Sequence, residues 1–207
     1  MQITLVHVHD PMCSWCWAFR PTWSRIREAL PEAIAVRRLL GGLAPDTDQP
    51  MPEEMRAGLQ ATWRRIQQVV PGTQFNFDFW RDCAPRRATY PACRAVVAAA
   101  RQGAGDDEAM VHAIQRAYYQ QARNPSDDDT LISLAGELGL DEARFARDLA
   151  DPSTHDELLR QIAEARALGA DSFPTLLLVT PAGTHWIGHD YNDPDPVLRQ
   201  VDKLLAA

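Results

Sequence analysis

The chain has 207 residues, 45% of them hydrophobic, and a net charge of −7 at pH 7. That is enough apolar content for a real core, in one large domain or in one domain carrying an insertion. The acidic balance argues against a nucleic-acid partner, which needs a basic surface, and no apolar run is long enough to cross a bilayer.

The first residues, Met1-Gln-Ile-Thr-Leu5, have neither a basic start nor a long apolar segment, and they read directly into a strand. The expectation is a cytoplasmic protein, and in a reducing compartment a Cys-x-x-Cys pair is more readily catalytic or metal-binding than structural. Residues 2–9 form the predicted strand, with Ile3, Leu5, Val6 and Val8 apolar and Pro11 stopping it. Asp10-Pro-Met-Cys13-Ser-Trp-Cys16-Trp17 follows, holding two of the four cysteines. From Cys13 the spacing turns helical, with Phe19, Trp23, Ile26 and Leu30 on one face. Pro21 should kink that helix and Pro31 should end it. Ala33–Leu40 reads as a second strand, broken by Gly41-Gly42. A β–α–β start implies a parallel strand pair.

Residues 44–52, rich in Pro and Asp, read as an excursion out of that unit. A largely helical stretch follows. Met55, Leu59, Trp63, Ile66 and Val70 mark one helix face, and Pro71-Gly72 ends it. Phe75, Phe77, Phe79 and Trp80 form an aromatic run expected to pack between this block and the sheet. Residues 88–102, 106–121, 127–138, 141–149 and 153–168 read as helices, with Asp141 and Ser153 as N-caps and Gly139 and Gly169 as stops. The β pattern returns at Thr175–Thr180. A turn at Pro181-Ala-Gly183 and a short strand at Thr184–Ile187 make a hairpin, and a helix over 194–205 closes the chain.

Two cysteines three positions apart at a helix start can close a small-ring disulfide. The first also meets the unpaired N–H groups and the positive end of the helix dipole, which favour a thiolate and can lower a cysteine pKa from about 8.5 to roughly 3.5–7.5. Cys13 is therefore the expected nucleophile, exposed. Cys16 is the expected resolving thiol, more buried and nearer an unperturbed pKa. The competing readings are two inert cysteines or half of a zinc site; the latter needs two further ligands, and no second Cys-x-x-Cys or His-x-x-x-His is present. Asp10 is a candidate proton relay to Cys16, or simply a turn residue before Pro11. His7 and His9 share one side of the first strand, where hydrogen bonding within the fold is the expectation rather than metal binding. His185 and His189 lie near the last strand with no assigned role. Cys83 and Cys93 are candidates for a secondary redox pair, with small buried residues as the plainer reading. Trp15 is expected to lie exposed beside the cysteines and Trp17 to be core.

The order βαβ, helical block, ββα with Cys-x-x-Cys after the first strand resembles the thioredoxin fold, in the α/β class. With the all-helical insertion between its halves, the chain resembles the DsbA family of thiol–disulfide oxidoreductases, and within it the cytoplasmic FrnE-like, protein-disulfide-isomerase branch. The residues that carry the likeness are Asp10–Trp17, Gly41-Gly42-Leu43, the stretch 71–94 and Ser172-Phe-Pro-Thr175. On this likeness residues 1–50 and 170–207 form a thioredoxin-like domain and 51–169 an inserted helical one. The resemblance implies that Pro174 is a cis-proline facing the cysteines, with the backbone of Phe173 offered to substrate. It also places Thr89, Tyr90 and Pro91 on a wall of the site, and gives Ser14 and Trp15, between the cysteines, control of the redox potential. Implied partners are protein or small-molecule disulfides and dithiols, glutathione among the candidates. No cofactor or metal is implied. Glutathione-dependent isomerases and kappa-type transferases share the helical insert but usually carry serine where Cys13 stands. They remain the alternative enzyme class, and a non-catalytic metal- or protein-binding module the alternative outside catalysis.

Overall fold

The computed structural model describes residues 2–206. Four strands make one sheet: β1 (Thr4–His9), β2 (Ala35–Leu40), β3 (Thr175–Thr180) and β4 (Gly183–Ile187), in spatial order β2-β1-β3-β4. β1 and β2 run parallel, with Val6 opposite Arg37; β3 is antiparallel to β1, with Leu177 opposite Val6; β4 closes the hairpin. The parallel pair is joined by α1 (Ser14–Ala29), as the right-handed crossover rule requires.

Side-chain alternation divides the central strand between two layers. Leu5 faces Phe19, Trp23 and Ile26 of α1 and Val197 and Val201 of α9 (Asp195–Leu205). Val6 and Val8 face the other way, onto Leu39, Leu177 and Ala165 of α8 (Pro152–Ala167). Burial on both faces explains why β1 and β3 read as near-continuous apolar runs.

Between β2 and β3 lie α2 (Glu53–Val69), α3 (Phe79–Asp82), α4 (Tyr90–Ala100), α5 (Asp106–Gln120), α6 (Asp128–Glu137), α7 (Glu142–Ala150) and α8. Their core is organised on α4, whose alanines at 92, 95, 98 and 99 are buried and let neighbouring helices approach closely. The same core takes in Met12, Trp17 and Leu40, so it joins the sheet half at the Cys-x-x-Cys loop. The aromatic run packs there: the Trp63 ring lies 4.8 Å from Phe75, 5.5 Å from Phe77 and 4.9 Å from Trp80.

Several sequence expectations need correction. Asp151, not Ser153, caps α8: its carboxylate accepts the Ser153 amide, and Pro152 fills the first helical position. Met55 is exposed, because only the second half of α2 is covered by the aromatic cluster. The excursion over 44–52 is tied down, with the Met51 amide on the Pro85 carbonyl and the Ala44 carbonyl accepting from Thr89. Asp141 caps α7 as expected, through the Arg144 amide, and Gly139 and Gly169 adopt positive φ where α6 and α8 stop.

Candidate active site

β1 delivers the chain to Asp10, and Cys13 becomes the N-cap of α1 with extended backbone. Its Sγ accepts the Cys16 amide at 3.4 Å, one of the donors that a helix start leaves without an intrahelical partner. No acidic side chain stands in the first turn of α1 to compete for that end of the dipole. All four cysteines are free thiols.

The Phe173–Pro174 bond is cis, as the resemblance implied. The Cys13 thiol points at the Phe173 carbonyl oxygen, 3.5 Å away across 160 residues of sequence. Two features fix this loop. The Thr175 hydroxyl donates to the Ser172 carbonyl at 2.7 Å. The Phe173 ring also lies directly over Gly41, where a Cβ would overlap it. Gly42, at φ +62°, is hemmed in by Ile162 and Tyr90.

Burial at the site departs from expectation. Cys13 is only 7% exposed and Cys16 5%, so the two differ little in accessibility. The Cys16 thiol does not keep an ordinary pKa: burial and the neighbouring Cys13 push it well up. Trp15 is half-buried rather than free, its ring tilted against Tyr191 at 4.9 Å. Ser14 accepts the indole N–H of Trp63 at 3.0 Å, so the helical insertion holds the dipeptide between the cysteines.

Asp10 is fully buried. Its Oδ1 accepts the Met12 amide at 2.8 Å, and its Oδ2 accepts the Leu43 amide at 2.8 Å and the Thr89 hydroxyl at 2.7 Å. The Cys93 thiol is 3.5 Å from the same Oδ2. Burial raises the Asp10 pKa; these hydrogen bonds pull it back only in part. Its ionised form in turn helps to hold the Cys93 and Cys16 thiols protonated. Thr89 thus reaches the site through Asp10, while Tyr90 packs beside Gly42 and His155. Cys93 and Cys83 are separately engaged: the Cys83 thiol donates to the Ala122 carbonyl at 3.1 Å.

His7 and His9 are buried and stacked, ring centroids 5.1 Å apart. Neither ring nitrogen of His7 has a protein partner, contrary to the hydrogen bonding expected. Among the described residues no group of three or more His, Cys, Asp or Glu is arranged to hold a metal ion, and no helix is long and apolar enough to cross a membrane. Tyr191 beside Trp15 and the Trp63–Ser14 bond are not legible in the sequence. Both depend on long-range packing, and only the aromatic type of Tyr191 and Trp63 was available as a signal.

A dithiol at a helix start, facing the carbonyl that precedes a cis-proline over a buried carboxyl, is the equipment of disulfide exchange. Comparisons with known proteins agree at the level of family. The family model of the DSBA-like thioredoxin domain matches residues 4–194. Two curated relatives, each named ClpXP adapter protein SpxH, are 24% identical over 172 residues (Halalkalibacterium halodurans) and 25% over 170 residues (Shouchella clausii). Each match covers 81% of this chain but 56% and 55% of the relative, so the chain spans little more than half their length. A Nitrosomonas europaea protein provisionally assigned as a protein disulfide isomerase superposes with a TM-score of 0.84 at 27% identity, covering 100% of this chain and 98% of that one. The cytosolic disulfide reductase DsbM from Pseudomonas aeruginosa superposes at 0.79 with 26% identity, covering 99% and 100%. By sequence, fold and site geometry together, the chain belongs to the DSBA-like thioredoxin domain family.

Proposed function

We propose that the protein is a cytoplasmic thiol–disulfide oxidoreductase that works through a mixed disulfide on Cys13, chiefly in the reducing direction. The observation that carries this reading is the Cys13 thiol at the start of α1, 3.5 Å from the carbonyl of Phe173 beside cis-Pro174. The Cys13 thiolate attacks one sulfur of a substrate disulfide; the other sulfur leaves as a thiolate. Cys16 then attacks Cys13, releases the second substrate thiol and leaves the Cys13–Cys16 disulfide, which a reductant reopens. Phe173, Pro174, Ser14 and Trp15 form the substrate wall, with Tyr191 backing Trp15. Asp10 takes part in proton transfer to and from Cys16, and Thr89 positions it. Tyr90 belongs to the outer wall. Cys93, bonded to Asp10, acts on that carboxyl rather than as a redox partner of Cys83.

The likeness to a reductase described as cytosolic supports both the compartment and the direction. Another structure of that reductase was determined with glutathione, which supports glutathione as reductant or mixed-disulfide partner here. Residues 1–50 and 170–207 serve as the redox domain, and 51–169 shape access to it.

The test is a pair of variants. Cys13→Ser is expected to abolish turnover of a model disulfide, and Cys16→Ser to accumulate a mixed disulfide detectable by mass. If both variants turned the disulfide over like the parent, the reading would fail. A parent protein that turns over no disulfide would favour the second reading, a protein-binding adapter, which the naming of the two curated relatives suggests.

A further inference from the structure

A cleft of about 420 Å³ runs along α1, between the end of α2 and the loop after β4. Trp17, Ala18, Pro21, Thr22 and Arg25 line it from α1, on the face that helical steps of three and four set. From Trp17 to Arg25 the helix rises about 12 Å, the length of roughly four residues of extended chain. One end of the cleft lies at the redox site. Trp17 follows Cys16 directly, and Tyr191, also in the wall, packs on Trp15 at 4.9 Å.

The chain carries a net charge of −7, yet no carboxylate lines this cleft; its charged lining residues are Arg20 and Arg25. Among the described residues neither makes an ion pair. By contrast, Arg86 and Arg94, in the cleft beside α4 and α6, are paired with Asp127 and Asp46. Arg20 lies over the Trp17 ring at 5.1 Å, which holds the guanidinium in place, and its Nε is buried without an acceptor. Burial and nearby Arg116 lower its pKa, and an anion beside it would oppose both effects. Arg25 is anchored through one nitrogen, which donates to the Thr22 hydroxyl at 3.0 Å and the Asn192 carbonyl at 2.6 Å. Asp190 and Asp193 stand in the loop after β4 but outside the cleft wall. Asp190 accepts the Asn192 and Asp193 amides, and Asp193 accepts the Asp195 amide.

We propose that this cleft selects substrates by an acidic segment: a short extended stretch bearing Asp or Glu lies along α1, its carboxylates on Arg20 and Arg25, while a disulfide of the same protein meets Cys13. The inference rests on the reading of the protein as a thiol–disulfide oxidoreductase and names a substrate class for that site. Ordering two long side chains is what usually cancels the gain from a surface ion pair. Here stacking on Trp17 and the bonds to Thr22 and Asn192 have already ordered them. The cleft is long enough for a peptide, and the rest of an acidic surface offers an acidic partner no comparable seat.

The experiment uses short peptides with one cysteine, linked as a disulfide to a chromogenic thiol, with glutathione as reductant and the uncatalysed rate subtracted. A run of Glu, Gln or Lys stands on the N-terminal or the C-terminal side of the cysteine. For one of the two placements, kcat/KM at low ionic strength is expected to be at least about fivefold higher for the Glu peptide than for the Gln peptide, a modest gain for two pre-ordered cations. The Lys peptide should fall below both, and added salt should erase the differences. Arg20→Gln and Arg25→Gln should each lower the Glu-to-Gln ratio, with each variant's own rate on the Gln peptide as its reference. Equal rates on the Glu and Gln peptides in the parent, or a ratio that neither substitution moves, would overturn the proposal. So would competition by free glutarate as strong as that by a cysteine-free Glu peptide, which would make the occupant a small dicarboxylate. Should the arginine variants fail to fold, Gln74→Glu, which puts a carboxylate on the cleft wall, must lower the ratio; no change there overturns the proposal. A parent protein that turns over none of the peptides would instead sink the functional reading. Fluorescence anisotropy of the labelled cysteine-free Glu peptide then decides the cleft on its own: binding that salt and Gln74→Glu weaken upholds it, and no binding overturns it.

Discussion

The Thr89 hydroxyl donates to Asp10 Oδ2 at 2.7 Å, joining the first residue after β1 to the N-cap of α4 across 79 positions of sequence. The same hydroxyl oxygen accepts the Ala44 amide at 3.1 Å, so one side chain ties together the loop after β2, the helical insertion and the buried carboxyl. Removing it leaves a charged acceptor and a backbone donor short of partners.

Thr89→Val is therefore expected to cost about 1–3 kcal/mol of stability, the range for orphaning buried polar groups. It should also raise the Asp10 pKa further, since the hydroxyl favours the ionised carboxyl. The sign of the pH dependence follows from proton counts. Above the ordinary carboxyl value of 3.8, unfolded Asp10 has lost its proton while folded Asp10 still holds it, so its contribution to stability falls as pH rises through the raised folded pKa. Denaturation midpoints at a series of pH values should fall more steeply in Thr89→Val than in the parent. A parallel pair of curves would refute the coupling.

His9 acts in the opposite sense. Burial and Arg38 lower its pKa from 6.5 to about 4. Between those values the unfolded chain binds a proton that the folded chain does not, so stability is lost as pH falls from 6.5 towards 4. A shift of that size corresponds to roughly 3 kcal/mol. His9→Gln should flatten this limb of the profile, which unfolding measured in buffers across that range will reveal.

Gly41→Ala places a methyl group where the Phe173 ring now lies. The ring must move, and with it the carbonyl that faces Cys13. Overpacking of this kind costs typically about 1–3 kcal/mol. The disulfide reductase rate should fall by more than stability alone explains, while alkylation of Cys13 in the reduced protein persists. An unchanged rate would show that the Phe173 backbone is not part of the site.

Trp63→Phe removes the indole N–H that Ser14 accepts and leaves a gap among the surrounding rings. A loss of about 1–3 kcal/mol is expected from the hydrogen bond and the cavity together. Because Ser14 lies between the cysteines, the potential of the couple should move as well. About 30 mV corresponds to roughly 1.4 kcal/mol, so a modest reorientation is measurable in a glutathione redox titration. A potential identical to the parent's would mean that Trp63 serves packing alone.

Much of this was legible in the chain itself. Apolar runs at Leu5–Val8 and Leu176–Leu178, helical spacing over Phe19–Ile26 and Trp63–Val70, and glycine stops at Gly139 and Gly169 all reflect local physics that the fold keeps. Cys13 at a helix start was readable for the same reason. The cis bond at Pro174 came only through resemblance, because nothing local distinguishes it from a trans X–Pro bond. The burial of Cys13, the raised pKa of Cys16 and the unpartnered imidazole of His7 were not legible. Each is set by residues from α5, β3 or the inserted helices that meet only in three dimensions. Met55 shows the converse: helical spacing placed it inward, but the aromatic cluster ends before reaching it.

Helix α8 belongs to the inserted stretch by sequence, yet it supplies the layer over Val6, Val8 and Leu177. The Gln161 side chain also accepts the Leu40 amide at 3.1 Å. The insertion therefore cannot be excised as a module. A chain trimmed to the two sheet-forming ends would present one bare apolar face, and the edge strand β2 would lose the Gln161 acceptor of its Leu40 amide. Any minimal redox scaffold cut from this protein must carry its last inserted helix along.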